Sequence, residues 1–272
     1  MQSASLYSPH RSEHTDGLID QQFSRYRVEE HAVWDVLYRQ QVALLKDRAH
    51  PEFLAGLDKL SLGRGGIPDF EQLSSELRAL TGWEVRAVAG LVSDEAFFRY
   101  LSKRIFVAGR FIRRPDQLDY LQEPDVFHDV FGHVPMLAHP VFADYMQAYG
   151  EGGLRSLQFG ALHKLARLYW YTVEFGLIQT PCGLRIYGAG ITSSTKESHY
   201  ALDDRAVLRR PFDLRRVLQT DYRIDDLQST YFVIDSFEQL LNATLHTDFA
   251  PLYRELQSAA EFAPGSTSDL TP

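Results

Sequence analysis

The chain has 272 residues, 44% of them hydrophobic and 12% aromatic, enough for one large domain with a sizeable core or for two small ones. Its 28 basic and 36 acidic residues give a net charge of -8, which argues against nucleic acid or an anionic membrane as partner and leaves small neutral or zwitterionic ligands open. Cys182 is the only cysteine, so no intramolecular disulfide can form; with no apolar run of signal-peptide or membrane-spanning length, the expected location is the cytoplasm.

Residues 1–20 are polar and are expected to form a frayed tail. Helical spacing of apolar residues then predicts helices over His31–Ala49, Pro68–Leu80 and Ser93–Phe106. Trp83–Gly90 is a candidate strand lying between the last two. Further along, helices are predicted over Val141–Tyr149 and Ala161–Gly176, and Leu177–Tyr187 reads as a small hairpin turning at Pro181-Cys182-Gly183. Thr230–Ile234 is the last candidate strand. Ser236 with Gln239 fits a capping box opening another helix, and Phe249–Leu256 completes the set. Residues 263–272 are turn-rich and are expected to fray. The resulting fold class is mainly α with a few short strands and hairpins, a helix-dominated α+β single domain over residues 21–262. The order of elements is not an alternating βαβ chain, which argues against a Rossmann-type enzyme.

The densest chemistry lies in Pro124-Asp125-Val126-Phe127-His128-Asp129-Val130-Phe131-Gly132-His133-Val134-Pro135. His128 and His133 are five residues apart, so an ideal α-helix would place them on different faces. Gly132 and Pro135 are residues expected where a helix ends, and a helix loosening there would let both rings reach one ion. Taken alone, two such histidines are read more readily as core residues bonded to backbone carbonyls. Glu174 changes the balance. It sits in the apolar, aromatic run Leu165–Gly176, where an ionised carboxylate is costly unless paired or bound to metal. Arg167, seven residues earlier, is a possible structural partner for it. Two histidines and one carboxylate form the facial triad of non-haem Fe(II) oxygenases, and also one of the ligand sets of zinc hydrolases. The sequence lacks the zinc-peptidase spacing, because Asp129 follows His128 and the second histidine comes one residue late.

These residues resemble a known family. Glu123–Pro135 resembles the iron-binding signature of the tetrahydropterin-dependent aromatic amino acid hydroxylases, and Tyr169–Gly176 resembles the segment carrying their third iron ligand. Tyr187–Ser194, and Val88–Leu91 followed by Phe97, match two further motifs in family order, so the likeness runs from about Tyr26 to about Tyr253. The resemblance implies a catalytic domain that binds Fe(II), takes two electrons from a tetrahydropterin and inserts one atom of O₂ into an aromatic ring. In outline it is nearest the single-domain bacterial members that act on phenylalanine. Members acting on tryptophan or tyrosine share the motifs and differ in the pocket. With neither a regulatory domain nor a tetramerisation helix evident, a monomer is expected.

The resemblance also assigns roles. His128, His133 and Glu174 are the implied iron ligands. Arg113 is the implied anchor of the substrate carboxylate, a role for which a planar guanidinium is suited. Trp170, Phe175 and Pro124 match substrate-pocket positions, Ser193 matches a serine supporting substrate and an iron-bound histidine, and Tyr120 is placed in the same pocket. Val88, Gly90, Leu91 and Val92 match the loop that reads the pterin edge, Phe97 the stacking aromatic, and Tyr169 and Ala166 other cofactor-side positions. Asp125, three residues before His128, is expected to accept the free ring N–H of that histidine, and also to cap the helix beginning at Val126. Leu121 and Asp129 depart from the animal members, which have a hydroxyl residue and a glutamate there; the implied contacts to substrate carboxylate and pterin differ accordingly.

Overall fold

The computed structural model of the chain describes residues 17–118 and 123–268. Twelve α-helices among the described residues run in the order α1 (Val28–Leu45), α2 (Pro51–Lys59), α3 (Phe70–Thr81), α4 (Asp94–Ser102), α5 (Val134–Leu137), α6 (Pro140–Leu157), α7 (Leu162–Tyr169), α8 (Ala189–Thr192), α9 (Thr195–Asp203), α10 (Leu214–Gln219), α11 (Phe237–Leu245) and α12 (Phe249–Leu256). Side-chain caps open many of them, as polar residues do where the first helical N–H groups lack partners. Asp69, Ser93, Ser236 and Asp248 each accept a backbone N–H of the first turn. Two small sheets complete the fold. In one, β1 (Leu18–Ile19) runs antiparallel to β2 (Glu84–Val88), which pairs in parallel with β3 (Ile105–Gly109). In the other, β4 (Leu177–Thr180), β5 (Gly183–Ile186), β6 (Leu208–Pro211) and β7 (Thr230–Ile234) lie in the order β5-β4-β7-β6.

Four expectations need correction. The segment read as one helix over Ser93–Phe106 is α4 followed by β3, because the backbone reverses at Arg104 (φ 59). β2–α4–β3 is therefore one βαβ unit, though the chain does not repeat it. Leu18 and Ile19, expected to belong to a frayed tail, instead pair with Val88 and Ala87. At the other end, Ala263–Ser268 is held rather than frayed: the Gly265 N–H donates to Thr230 Oγ1 (2.8 Å), and the Ser266 and Ser268 carbonyls accept from Arg210 and Arg216.

The fourth correction concerns the histidine segment. The helix does not loosen at Gly132; it widens. Phe127–His133 is a π-helix that runs straight on into α5. Hydrogen bonds reaching five residues back bring residues five apart round to one face, whereas five residues on an α-helix leave them about 140° apart. The inner side of this segment is locked by aromatic packing: Phe127 and Phe131 stack at 4.6 Å, Trp34 meets Phe127 edge-on at 5.2 Å, and Phe53 meets Phe131 at 5.8 Å. All four rings are fully buried. Each contributes roughly 1.5–3 kcal/mol of burial, enough to hold an uncommon helical geometry in place. A second π-helical turn, Trp170–Glu174, continues α7 and closes with Phe175 N–H donating to the Trp170 carbonyl at 2.9 Å.

Candidate metal centre and active site

The two π-helical segments bring three ligand-type side chains together. His128 Nε2 and His133 Nε2 are 3.2 Å apart, Glu174 Oε1 lies 3.2 Å from His133 Nε2, and Glu174 Oε2 lies 3.6 Å from His128 Nε2. At metal–ligand bonds of about 2.0–2.2 Å, neighbouring ligand atoms stand roughly 3.0–3.5 Å apart, so one ion reaches all three. It is the only such cluster among the described residues. Arg167 is not the partner of Glu174: its guanidinium pairs instead with Glu261 at 2.8 and 2.9 Å.

The protonation states suit a cation. Ser193 Oγ is 2.7 Å from the Ala189 carbonyl, which can only accept, so the serine proton points there. The His128 Nδ1–H must then donate to Ser193 Oγ, at 2.9 Å, leaving the Nε2 lone pair facing the cluster. Burial lowers the His128 pKa to about 4 and keeps the ring neutral. Burial also opposes ionisation of Glu174, but His133 and His128 outweigh it and hold the carboxyl below its ordinary range. His133 is flanked by the rings of Phe106 (5.1 Å) and Tyr169 (6.1 Å). Lone pairs and a carboxylate converging in a mostly apolar setting are what a divalent ion requires, and they fit Fe(II) with coordination positions left for other ligands.

Close backbone approach builds the centre. A Cβ on Gly132 would come within 2.9 Å of the Ala189 carbonyl, so the absent side chain lets α8 press against the π-helical turn. That contact, rather than a helix end, is the physical reason for glycine there. At Gly188 a Cβ would meet the Glu174 carbonyl at 2.4 Å, so glycine there lets the chain entering α8, which ends at its C-cap Ser193, lie against the glutamate.

Asp125 acts differently from the expectation that its carboxylate takes the His128 ring N–H. Ser193 takes that proton, and fully buried Asp125 instead accepts the His128 backbone N–H at 3.1 Å, which is a helix cap. Its two oxygens also take Arg113 Nε and Nη2, each at 2.9 Å, and the Arg113 backbone N–H at 2.9 Å. Burial raises the Asp125 carboxyl, yet Arg113 more than offsets it and keeps the pKa below the ordinary value. Arg113 Nη1 reaches the Leu118 carbonyl at 3.3 Å. The Arg113–Asp125 pair therefore links the loop after β3 to the start of the histidine helix.

Relatives of known type decide what this centre belongs to. A family model described as biopterin-dependent aromatic amino acid hydroxylase matches residues 19–257. The chain belongs to this family. Among curated relatives of the hydroxylase, a phenylalanine-4-hydroxylase of Caulobacter vibrioides is 60% identical over 255 residues, spanning 92% of this chain and 86% of that protein. Two solved structures of Chromobacterium violaceum phenylalanine hydroxylase superpose closely. One, with iron and phenylalanine bound, has TM-score 0.90 and 51% identity, covering 96% of this chain and 94% of that one. The other holds iron(III) and oxidised 7,8-dihydrobiopterin, with TM-score 0.90 and 54% identity over 93% and 91% of the two chains.

The remaining residues singled out in this hydroxylase form two groups by expected role. Of the substrate-side residues, Trp170 and Phe175 pack at 4.8 Å, half-buried, while Pro124 is exposed. Of the cofactor-side residues, Tyr169 and Phe97 meet edge-to-face at 5.7 Å on buried positions, with Ala166 buried on α7 beside Tyr169. Phe97 is 2% exposed, so little of its ring is open to a ligand. Val88 and Val92 are buried, whereas Gly90 and Leu91 are exposed. Asp129 Oδ2 accepts the Gly109 N–H at 2.7 Å, and burial pushes its carboxyl up to about 7. Tyr120 and Leu121 lie outside the described residues. Sequence reading missed Tyr222, stacked on Trp170 at 4.4 Å, and Gln228, bonded to its indole N–H. Both lie in a polar loop with no motif, so no local signal marks them.

Proposed function

We propose that the chain is a phenylalanine 4-monooxygenase, converting L-phenylalanine to L-tyrosine with O₂ and a tetrahydropterin at an Fe(II) site held by His128, His133 and Glu174. The observation that carries this reading is the convergence of those three ligand atoms within 4.8 Å, in a chain of this family whose relatives at 54–60% identity are phenylalanine-4-hydroxylases. Iron and pterin together supply the activation of O₂ that delivers one oxygen atom to the ring; the protein supplies position and a dry surround. Trp170, Phe175 and Pro124, with Tyr120, make the wall for the substrate ring. Arg113, pre-oriented by Asp125, keeps further N–H groups for the substrate carboxylate, and Ser193 steadies His128 beside it. Val88, Gly90, Leu91, Val92, Phe97, Asp129, Ala166 and Tyr169 bind the pterin. Phenylalanine is preferred to tryptophan because a wall of bulky aromatics suits one six-membered ring, though steric selectivity of this kind is worth only about 1–3 kcal/mol.

No helix among the described residues is long and apolar enough to cross a membrane. We infer a cytoplasmic location and a monomeric state, and sedimentation of the purified protein tests the second directly. The ligand set is tested by iron content: His128→Ala and His133→Ala should each lose stoichiometric iron and all ring hydroxylation while keeping a cooperative thermal transition. Full iron occupancy in both would overturn the assignment.

A further inference from the structure

The indole of Trp170 is tied at its polar edge to a side chain far away in sequence. Trp170 Nε1 donates to Gln228 Oε1 at 2.9 Å, and Gln228 is 4% exposed. The amide cannot be turned round, because Gln228 Nε2 already donates to the carbonyls of Arg223 (2.7 Å) and Asp226 (3.2 Å). The Gln228 backbone N–H donates to Glu197 Oε1 at 3.2 Å, and the Tyr231 hydroxyl donates to the same oxygen. Glu197 is 5% exposed, and its hydrogen-bond partners are these two neutral donors rather than an arginine, lysine or histidine. A buried carboxylate without a cation is costly to keep, so its two donors define a demanding arrangement. The fold does not satisfy every indole in this way: Trp34 Nε1 is fully buried with no hydrogen-bond partner among the described residues. On the Trp170 face, Tyr222 stacks at 4.4 Å with planes 19° apart. Edge and face together fix the tilt of the indole against Phe175.

We propose that Gln228 is a positioning residue for the amino-acid substrate: held by Glu197, it sets the plane of the Trp170 indole and so the width of the slot that receives the substrate ring. This rests on the reading of Trp170 as a wall of the substrate pocket. It adds a residue that touches neither iron nor pterin yet governs substrate fit.

A double-mutant cycle on the iron-loaded enzyme tests it, using Gln228→Met, Trp170→Phe and the pair. Gln228→Met should raise KM for L-phenylalanine and lower the phenylalanine-to-tryptophan ratio of kcat/KM, each by roughly two- to tenfold, because the Trp170 N–H loses its buried acceptor. Iron content and KM for the pterin should not move. Phenylalanine at residue 170 has no N–H to place, so adding Gln228→Met to Trp170→Phe should change nothing further. Equal effects of Gln228→Met on both backgrounds would assign it to loop packing and overturn the proposal, as would no effect on the wild-type background. If Trp170→Phe alone leaves KM and the ratio unchanged, the pocket reading itself fails; if it shifts them and Gln228→Met does not, only the Gln228 inference falls. Should Gln228→Met not fold, ultraviolet resonance Raman of the wild type, differenced against Trp170→Phe, reads the indole directly. A hydrogen-bonded Trp170 N–H unchanged by L-phenylalanine is expected, and a free one, or one that changes on binding, overturns the proposal.

Discussion

Asp125→Ala is the substitution for which the structure gives the clearest magnitude. Asp125 is 0% exposed and accepts four hydrogen bonds, three from Arg113 and one from the His128 backbone. Removing it leaves a guanidinium that is 9% exposed without its counter-ion, and breaking a buried pair from one side costs about 3–5 kcal/mol. For a chain of this size, each kcal/mol moves Tm by about 2–4 °C, so the metal-free protein should melt roughly 6–20 °C lower. The comparison belongs in metal-free protein, where a weakened iron site does not add to the shift. Arg113→Ala with Asp125→Ala should recover part of the loss, because no orphaned charge is left. Calorimetry of the four proteins reads both effects. An Asp125→Ala shift below about 2 °C, or a double variant less stable than the sum of the singles, would refute the reasoning.

Three other substitutions probe the same architecture. Ser193→Ala removes the acceptor of the His128 Nδ1–H and should weaken iron affinity about 10- to 100-fold, measured by chelator competition, with the fold intact. Gly132→Ala places a methyl within 2.9 Å of the Ala189 carbonyl and should destabilise the protein by about 1–3 kcal/mol in denaturant titration, with reduced iron occupancy. Glu261 is held down to about 2 by its hydrogen bonds to Arg167, so its contribution is fully present above the ordinary carboxylate value of about 4.3 and fades as pH falls toward 2. Glu261→Gln should therefore be less stable than wild type at pH 7, with the gap closing near pH 2; a gap constant across that range would contradict the pairing.

Much of the fold was legible because caps and periodicity coincide. Phe249–Leu256 has its expected bounds, and Asp248 caps it; Ser236 opens α11 and Thr230–Ile234 is a strand. Helix α2 escaped notice because its cap is His50, whose ring nitrogen accepts the Glu52 N–H in place of the usual small oxygen side chain. The end of α4 escaped because the reversing residue is Arg104 and not glycine. The triad was legible in its residue types, whereas its geometry was not: nothing in the five-residue histidine spacing announces a π-helix, which tertiary packing of Phe127 and Phe131 imposes. The supports of Trp170 were hidden for a plainer reason. Gln228 reaches it from far along the chain, and Glu197 on α9 holds Gln228 in turn, through contacts that leave no local pattern.

The central claim is ring hydroxylation of phenylalanine at the His128, His133, Glu174 centre. Aerobic turnover of the purified protein with Fe(II), a tetrahydropterin and L-phenylalanine, with chemical identification of the product, tests it most directly. L-Tyrosine should form only when iron, pterin and O₂ are all present, and phenylalanine should be used with higher kcat/KM than tryptophan in a parallel reaction. Faster use of tryptophan, a product hydroxylated elsewhere on the ring, or turnover that persists without iron would contradict the account.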